Sequence, residues 1–498
     1  MSINTTTRPE RGARTTGTGR RARGWFRPMI LRLHFYAGLV VGPFILVAAL
    51  SGALYAAAPQ LEKIVYAHEL NAGSDARNLT VDDQVHRAVD HVRREGSTGT
   101  DNPQPIAVRP APEAGDTTRV MFASPPGSSE SDRRAVFVSP ADGEIRGDLT
   151  AYGSSGALPL RTWIDHLHRD LHLGETGRLY SEFAASWMWV IALGGLILWL
   201  PQLTSRLRAG MSRRRAIRES TLPRRGARGR SRLLGWHYSA GLGLLVAMFF
   251  LSATGITWSA HAGDNVASLR AALNWGSPKP NTSLTGAAMP TGGEHAGHGA
   301  GAGHSSSGSG GMSMPTDSGY DAVLRASHRF GIDSPKVEVV PAESMDQAWT
   351  VQEVDPHYPT HIDSVTIDPM TYREVDKVSF AEDYSLPAKL ARWGVDIHMG
   401  LWLGLVNQII LFVIAIGLAS MVVSGYVMWF KRRPTLRRPK APRAGASTAP
   451  WWAWLALGLP ALYLGIFLPL FGIPLVAFMV VDALVTRCRR PLLPRMDA

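Results

Sequence analysis

Apolar residues gather in blocks of membrane length, separated by stretches of ordinary soluble composition. The runs 33–58, 183–200, 236–258 and 401–430 are each mainly apolar, and roughly 18 or more such residues in a helix cross a hydrocarbon core about 30 Å thick. Trp199, Trp236, Trp258 and Trp429 stand near their ends, where interfacial aromatics belong. Pro201 is expected to close the second span and Lys431-Arg432-Arg433-Pro434 the fourth. Residues 451–486 are apolar almost throughout; as one straight helix they would reach roughly 54 Å, too long for one crossing. Pro469, Gly472 and Pro474 near the middle suggest two short spans joined by a tight turn, the alternative being one span plus a re-entrant or interfacial piece. The pattern predicts a mainly α-helical polytopic membrane protein with about six transmembrane helices.

Between the first and second spans the periodicity changes. Thr80 and Asp83 form a plausible capping pair before a helical run through Val81, Val85, Ala88, Val89 and Val92. Short β-type runs follow at 106–108, 119–122 and 135–138, then a turn at Ser139-Pro-Ala-Asp-Gly143. Between the third and fourth spans the order repeats: a helix over 321–329, β-runs at 336–340, 348–352 and 364–367, then Asp368-Pro-Met-Thr371. Two small α+β domains are therefore expected.

The membrane blocks repeat as well. His34-Phe-Tyr-Ala-Gly-Leu39 opens the first span and His237-Tyr-Ser-Ala-Gly-Leu242 the third; Ser51-Gly52 and Thr254-Gly255 each lie 17 residues further on. Asp170-Leu-His172-Leu-Gly174 is echoed by Asp396-Ile-His398-Met-Gly400. The chain reads as a tandem duplication. Its expected segments are a basic tail (1–30), a first span (31–58), a first outer domain (59–160), a histidine-containing helix with the second span (161–200), and an Arg-rich loop (201–235). A third span (236–260), a second outer domain (261–397), a fourth span (398–430), a basic linker (431–450), an apolar hairpin (451–486) and a tail (487–498) follow.

The net charge of +12 is a matter of topology. Residues 1–33 hold eight Arg against one acid, 201–236 eleven Arg against one Glu, and 431–443 seven Lys/Arg against none. Residues 59–180 carry 18 acids and 13 bases, and 260–397 carry 17 and 9. The positive-inside rule then puts both termini and the Arg-rich loop in the cytoplasm and both domains outside. No nucleic-acid partner is expected; the lipid bilayer is. The single cysteine, Cys488, lies in the basic tail, so the outer domains have no disulfide framework and no c-type haem attachment motif. The apolar run through Ala58 exceeds a signal-peptide core and reads as an uncleaved span.

Ionisable residues at membrane edges are costly and tend to be functional, and neutral imidazole is a common metal ligand. By the expected topology His34 and His237 lie at the cytoplasmic end of the bilayer, and His172 and His398 at the outer end. A pseudo-two-fold axis along the membrane normal would bring each pair together, an arrangement suited to two bis-histidine b-type haems held non-covalently. His168, four residues before His172 on one helical face, is an alternative outer ligand or a supporting partner, as is His166; His261 is a further candidate. Each histidine alone would more commonly be an interfacial hydrogen-bonding residue. Ala37, Gly38, Ala240 and Gly241 would let a flat macrocycle approach, or pack helices closely. The Gly/Ser/His-rich stretch 289–315 carries His295, His298, His304, Met312 and Met314, a donor set suited to copper, or else a spacer with incidental histidines. No flavin, nicotinamide or nucleotide motif is present in a credible context, so an electron donor would be a separate protein or a quinol.

The order His34-Phe-Tyr-Ala-Gly-Leu, His172-Leu-Gly, Trp199-Leu-Pro, His237-Tyr-Ser-Ala-Gly, His398-Met-Gly and Gly425-Tyr-Val-Met-Trp-Phe-Lys-Arg-Arg-Pro434 resembles the PepSY-associated transmembrane family over about residues 25–435. The outer units, with turns at Pro140-Ala-Asp-Gly143 and Asp368-Pro369, resemble its PepSY modules. That family is similar to bacterial inner-membrane reductases of ferric siderophores. The resemblance implies His34, His172, His237 and His398 as axial-ligand candidates, a ferric-siderophore substrate and a role in iron uptake. PepSY modules also occur in peptidase propeptides, which keeps a membrane-anchored sensor or inhibitor of an envelope peptidase open, as the linker keeps open a copper-handling accessory protein.

Overall fold

The computed structural model describes residues 25–96, 103–124, 128–129, 131–153, 155–223, 226–285, 319–431 and 450–488. The linker residues His295, His298, His304, Met312 and Met314 lie outside them. Each half repeats one order of elements. In the first half, α1 (Phe26–Val40) and α2 (Gly42–Val65) lead through α3 (Ala67–Leu70) to α4 (Val81–Glu95). Strands β1 (Pro105–Arg109), β2 (Thr118–Ala123), β3 (Asp132–Val138) and β4 (Ile145–Tyr152) follow, then α5 (Pro159–Arg169) and α6 (Gly174–Arg208). After the connecting helix α7 (Arg213–Thr221), the second half runs α8 (Gly229–Gly243), α9 (Leu245–Thr257), α10 (His261–Ala272) and α11 (Tyr320–Arg329). It continues with β5 (Val337–Val340), β6 (Trp349–Glu353), β7 (Ser364–Ile367), β8 (Glu374–Val378), α12 (Leu386–His398) and α13 (Leu405–Phe430). An apolar helix pair, α14 (Trp451–Phe467) and α15 (Pro469–Cys488), closes the chain.

Helices α2, α6 and α13 are long and apolar enough to cross a membrane, and α8 with α9 meets the same test as one span bent by 58°. Spans one and three, expected as continuous, are each broken about seven residues after the duplicated histidine, at Val41 and Leu244. The second span departs from expectation in the other direction: α6 runs through Pro201 to Arg208. A proline removes one i→i−4 bond and crowds the preceding turn, which can kink a helix without ending it. In the hairpin the chain breaks at Leu468, directly before Pro469. There α14 and α15 cross through glycines: a Cβ on Gly472 would come within 2.4 Å of the Gly465 carbonyl oxygen.

The two outer units were expected as separate small domains; the structure joins them in one antiparallel sheet ordered β4-β3-β2-β1-β5-β6-β7-β8. The seam is β1 against β5, with Val108 opposite Val339. Helices α4 and α11 cover one face. Val85, Ala88, Val92, Phe122 and Val136 from the first unit and Tyr320, Val323, Trp349, Val351 and Ile367 from the second share one core. Each large side chain buried there contributes roughly 1.5–3 kcal/mol of transfer free energy. The capping box forms: Thr80 Oγ1 accepts from the Asp83 N–H at 3.1 Å, and Asp83 Oδ2 accepts from the Thr80 N–H at 3.3 Å. The fourth strand of each unit was not anticipated, because these edge strands carry Arg146, Asp148, Asp376 and Lys377 and lack an apolar alternation. The turns before them are equivalent, with Gly143 and Tyr372 both in the left-handed region.

Two interactions lock the seam. Asp82 Oδ1 accepts from the Tyr320 N–H at 2.8 Å, while Asp321 accepts from the Val81 and Asp82 N–H groups at 3.2 and 3.0 Å. Each unit thus places a carboxylate on the first turn of the other's helix, where unpaired N–H groups favour negative charge. On the opposite face Arg109 Nε donates to Glu338 Oε2 at 2.7 Å, and Gln352 Nε2 donates to Glu338 Oε1 at 2.7 Å. Burial alone would push the Glu338 carboxyl up, but Arg109, Arg133 and Gln352 together outweigh it and hold the group below the ordinary carboxylate range. Glu338→Ala, leaving Arg109 without its carboxylate, is expected to destabilise the outer sheet by about 3 kcal/mol at neutral pH. A depressed carboxyl pKa adds stability above the ordinary value that is lost as pH falls through the folded one. The gap between wild type and Glu338→Ala in thermal unfolding midpoint should therefore narrow below about pH 4.

Candidate functional site: two histidine pairs

Helices α1 and α8 carry the first pair. The His34 and His237 rings face each other with centroids 6.4 Å apart and planes crossing at 79°. Each is anchored on the helix that follows its own half's strands. His34 Nδ1 lies 3.0 Å from the Ile191 carbonyl oxygen on α6, and His237 Nδ1 lies 3.4 Å from Ser424 Oγ on α13. Ser424 in turn donates to the Met421 carbonyl, so both halves address the same turn of the helix, the second through an inserted hydroxyl.

The second pair sits at the sheet end. From His34 to Ser51 is 17 residues, roughly 25 Å of helix, which separates the two sites by most of a bilayer core. His168, on the last turn of α5, places Nδ1 3.0 Å from Ser51 Oγ on α2. His398, ending α12, places Nδ1 2.6 Å from Thr254 Oγ1 on α9. An aromatic four residues after each hydroxyl flanks the ring: Tyr55 at 6.4 Å from His168, Trp258 at 5.2 Å from His398. His168 and His398 thus hold equivalent positions in the two halves.

The tautomer follows from the partners. A carbonyl only accepts, so His34 Nδ1 must bear the proton. A hydroxyl has one proton to give, and Ser51 gives it to the Val47 carbonyl at 2.8 Å, Thr254 to Phe250 at 2.9 Å and Ser424 to Met421 at 2.8 Å. Each of these oxygens is then an acceptor toward its imidazole. The carbonyl fixes the His34 proton on Nδ1; at the other three rings the hydroxyl can accept from Nδ1 while donating to its own helix, and none of the four Nε2 atoms has a hydrogen bond among the described residues. Fixing one ring nitrogen so that the other can bind a metal is how proteins prepare histidine ligands. Such rings can coordinate a transition metal or accept a proton.

The structure corrects the register of the outer pair. His172, expected to match His398, lies beyond the end of α5, exposed, with its ring 5.0 Å from Trp163 and 5.9 Å from His166. His168 takes the place matching His398, because the shared pattern is His-x-x-Leu-x-Leu-Gly: His168 to Gly174 and His398 to Gly404. Trp163 and Trp393, five residues before each histidine, agree with that register. The Asp-x-His echo had shifted the match by four residues. His166 faces Asp170, with Nδ1 3.1 Å from Oδ2. His261 is exposed at the start of α10, its N–H bonded to the buried Glu182 carboxylate at 2.9 Å, and belongs to neither pair. Ser51 and Thr254 were visible as duplicated landmarks 17 residues after His34 and His237, but spacing alone did not show which ring they meet.

Small residues let the rings in. A Cβ on Gly194 would meet His34 Nδ1 at 3.3 Å, and one on Gly52 would meet His168 Cε1 at 3.2 Å, whereas Gly38 faces open space. Of the residues expected to admit a flat group, Gly241 has Met421 against it and Gly38 has nothing.

One family model, described as PepSY-associated TM region, matches residues 31–432, a stretch that includes all four histidines and leaves the C-terminal hairpin outside. A search among curated proteins finds no match.

Replacing Gly194 or Gly52 by Leu should push the adjacent ring off its acceptor and cost about 1–3 kcal/mol, the usual penalty for overpacking. Gly38→Leu should leave stability unchanged or slightly raised, since leucine is the better helix former. Thermal midpoints of the three variants in detergent check the contrast.

Proposed function

We propose, for a chain that belongs to the PepSY-associated transmembrane family, that it is a b-type haem oxidoreductase passing electrons across a bacterial cytoplasmic membrane to a ferric chelate outside. The observation that carries this reading is the placement of four imidazoles, two at each end of the helices, each with Nδ1 against a partner on another helix. Two imidazoles on neighbouring helices are a donor set that suits a low-spin haem, and the His34 and His237 ring centroids lie 6.4 Å apart. His34 with His237 would hold one haem, and His168 with His398 the other.

When bound, a bis-imidazole haem exchanges single electrons and offers no open coordination position. The chain's own residues supply the rest. Ile191, Ser424, Ser51 and Thr254 fix the rings, and Gly194 and Gly52 leave room for them. The basic segments 1–33, 201–236 and 431–443 favour a cytoplasmic location for both termini and for the His34/His237 end, with the sheet outside. In that orientation six spans accommodate the helices, α14 and α15 forming the last two. The electron donor is then a cytoplasmic reductase or a membrane quinol. The substrate is iron(III) in a hard-oxygen chelate such as a siderophore; one electron converts it to iron(II), which such oxygens hold far less tightly, so reduction frees the metal. The outer sheet would serve as the docking surface.

Purified protein should give a pyridine haemochrome of two b-type haems per chain and dithionite-reducible bands. His34→Ala or His237→Ala should remove one haem and leave the other; His168→Ala or His398→Ala should do the converse, while His172→Ala retains both. Correctly folded protein with no porphyrin after expression with ample haem would overturn the reading.

A further inference from the structure

Where a chain is duplicated, a departure from symmetry marks something one half does alone. In the register set by His168 and His398, His166 corresponds to Asp396 and His172 to Trp402. Only the first half therefore brackets its shared histidine with two more imidazoles.

Their placement is built. Asp170 is buried and ties both together: Oδ2 accepts from His166 Nδ1–H at 3.1 Å, and Oδ1 accepts from the His172 backbone N–H at 2.9 Å. Leu171 and His172 both adopt left-handed backbone, φ 55° and 58°, a costly conformation for side-chain-bearing residues. The turn is held from α6, where Tyr180 Oη and Ser181 Oγ donate to the carbonyls of His168 and Arg169. At Gly177 only glycine fits, since an added Cβ would overlap the Asp170 carbonyl oxygen at 1.7 Å. The result is an exposed His172 ring 5.9 Å from a part-exposed His166 ring. Arg169 Nη2 lies 3.3 Å from His166 Nδ1, but two donors cannot share that contact, and the acceptor-only carboxylate fixes the proton on Nδ1. Arg169 also meets Asp165 at 3.7 Å and Asp170 at 3.5 Å, so its charge is met by two carboxylates.

We propose that His166 and His172 form a surface site for a borderline first-row divalent metal ion, with Cu(II) bound most tightly among such ions. His166 offers Nε2, its other nitrogen being held by a buried carboxylate in the manner of prepared metal ligands. His172 completes a two-imidazole set, and the remaining positions stay open to water or to a chelator. Another grouping of metal-type donors, His91, Glu95 and Asp148, already receives the Arg134 guanidinium, which bonds both carboxylates. The proposed site is separate from the haem reading and stands whether or not that reading holds.

The test titrates the full-length detergent-solubilised protein with Cu(II) alone, reading bound copper by equilibrium dialysis and its ligands by electron paramagnetic resonance. A saturable Cu(II) signal with nitrogen splitting is expected, weakened at least about tenfold by His166→Ala, His172→Ala or Asp170→Asn. A second variant, with His295, His298, His304, Met312 and Met314 changed to Ser, removes any linker copper and should keep this signal. Copper stoichiometry and spectrum unchanged in a folded His172→Ala protein would overturn the proposal, as would loss of all copper in the linker variant.

Discussion

Each imidazole of the two pairs is held by what its Nδ1 atom faces. Three of the four partners are hydroxyls whose only proton is already committed to a carbonyl on their own helix, and the fourth is a carbonyl itself. The helix backbone thereby favours one protonation of a ring on another helix. The α2 and α9 segments do more than cross the bilayer: a serine or threonine bonded back to the preceding turn presents its lone pairs outward as an acceptor. A buried ring given no such acceptor would be free to take either tautomer, and the lone pairs would not point in one concerted sense.

Duplication turns this local rule into architecture. Because both halves apply it at equivalent positions, His34 and His237 meet edge to face at one end, and His168 and His398 take matching places at the other. Symmetry is not perfect. Gly194 in the first half is matched by Ser424 in the second, so His34 reaches a carbonyl directly and His237 needs a hydroxyl between. Two environments for chemically identical rings follow, which makes the members of one pair inequivalent in basicity.

Much of this was legible in the chain. The apolar blocks, the repeated His-x-x-Ala-Gly-Leu words and the order helix, strands, turn in each outer unit all have direct counterparts in the structure, because they rest on periodicity and local turn chemistry. What escaped depends on long-range pairing. The polar edge strands gain their identity only from the neighbours they bond to, and nothing local distinguishes β4 from a loop. The fusion of two units into one sheet is a contact between residues more than two hundred positions apart, Val108 and Val339. The choice between His168 and His172 turned on register: a three-residue echo competed with a longer, sparser pattern, and the shorter one misled. Pro201 was read by its usual local effect, which this long helix tolerates.

The seam between β1 and β5 constrains how such a molecule can operate. Membrane carriers built from repeated halves commonly move cargo by rocking one half against the other around a central site. Here the halves are stitched above the helices by a continuous ladder, by exchanged helix caps and by the Arg109–Glu338 ion pair. Alternating access would require tearing that joint on every cycle. A fixed frame of this kind suits traffic that needs no moving gate.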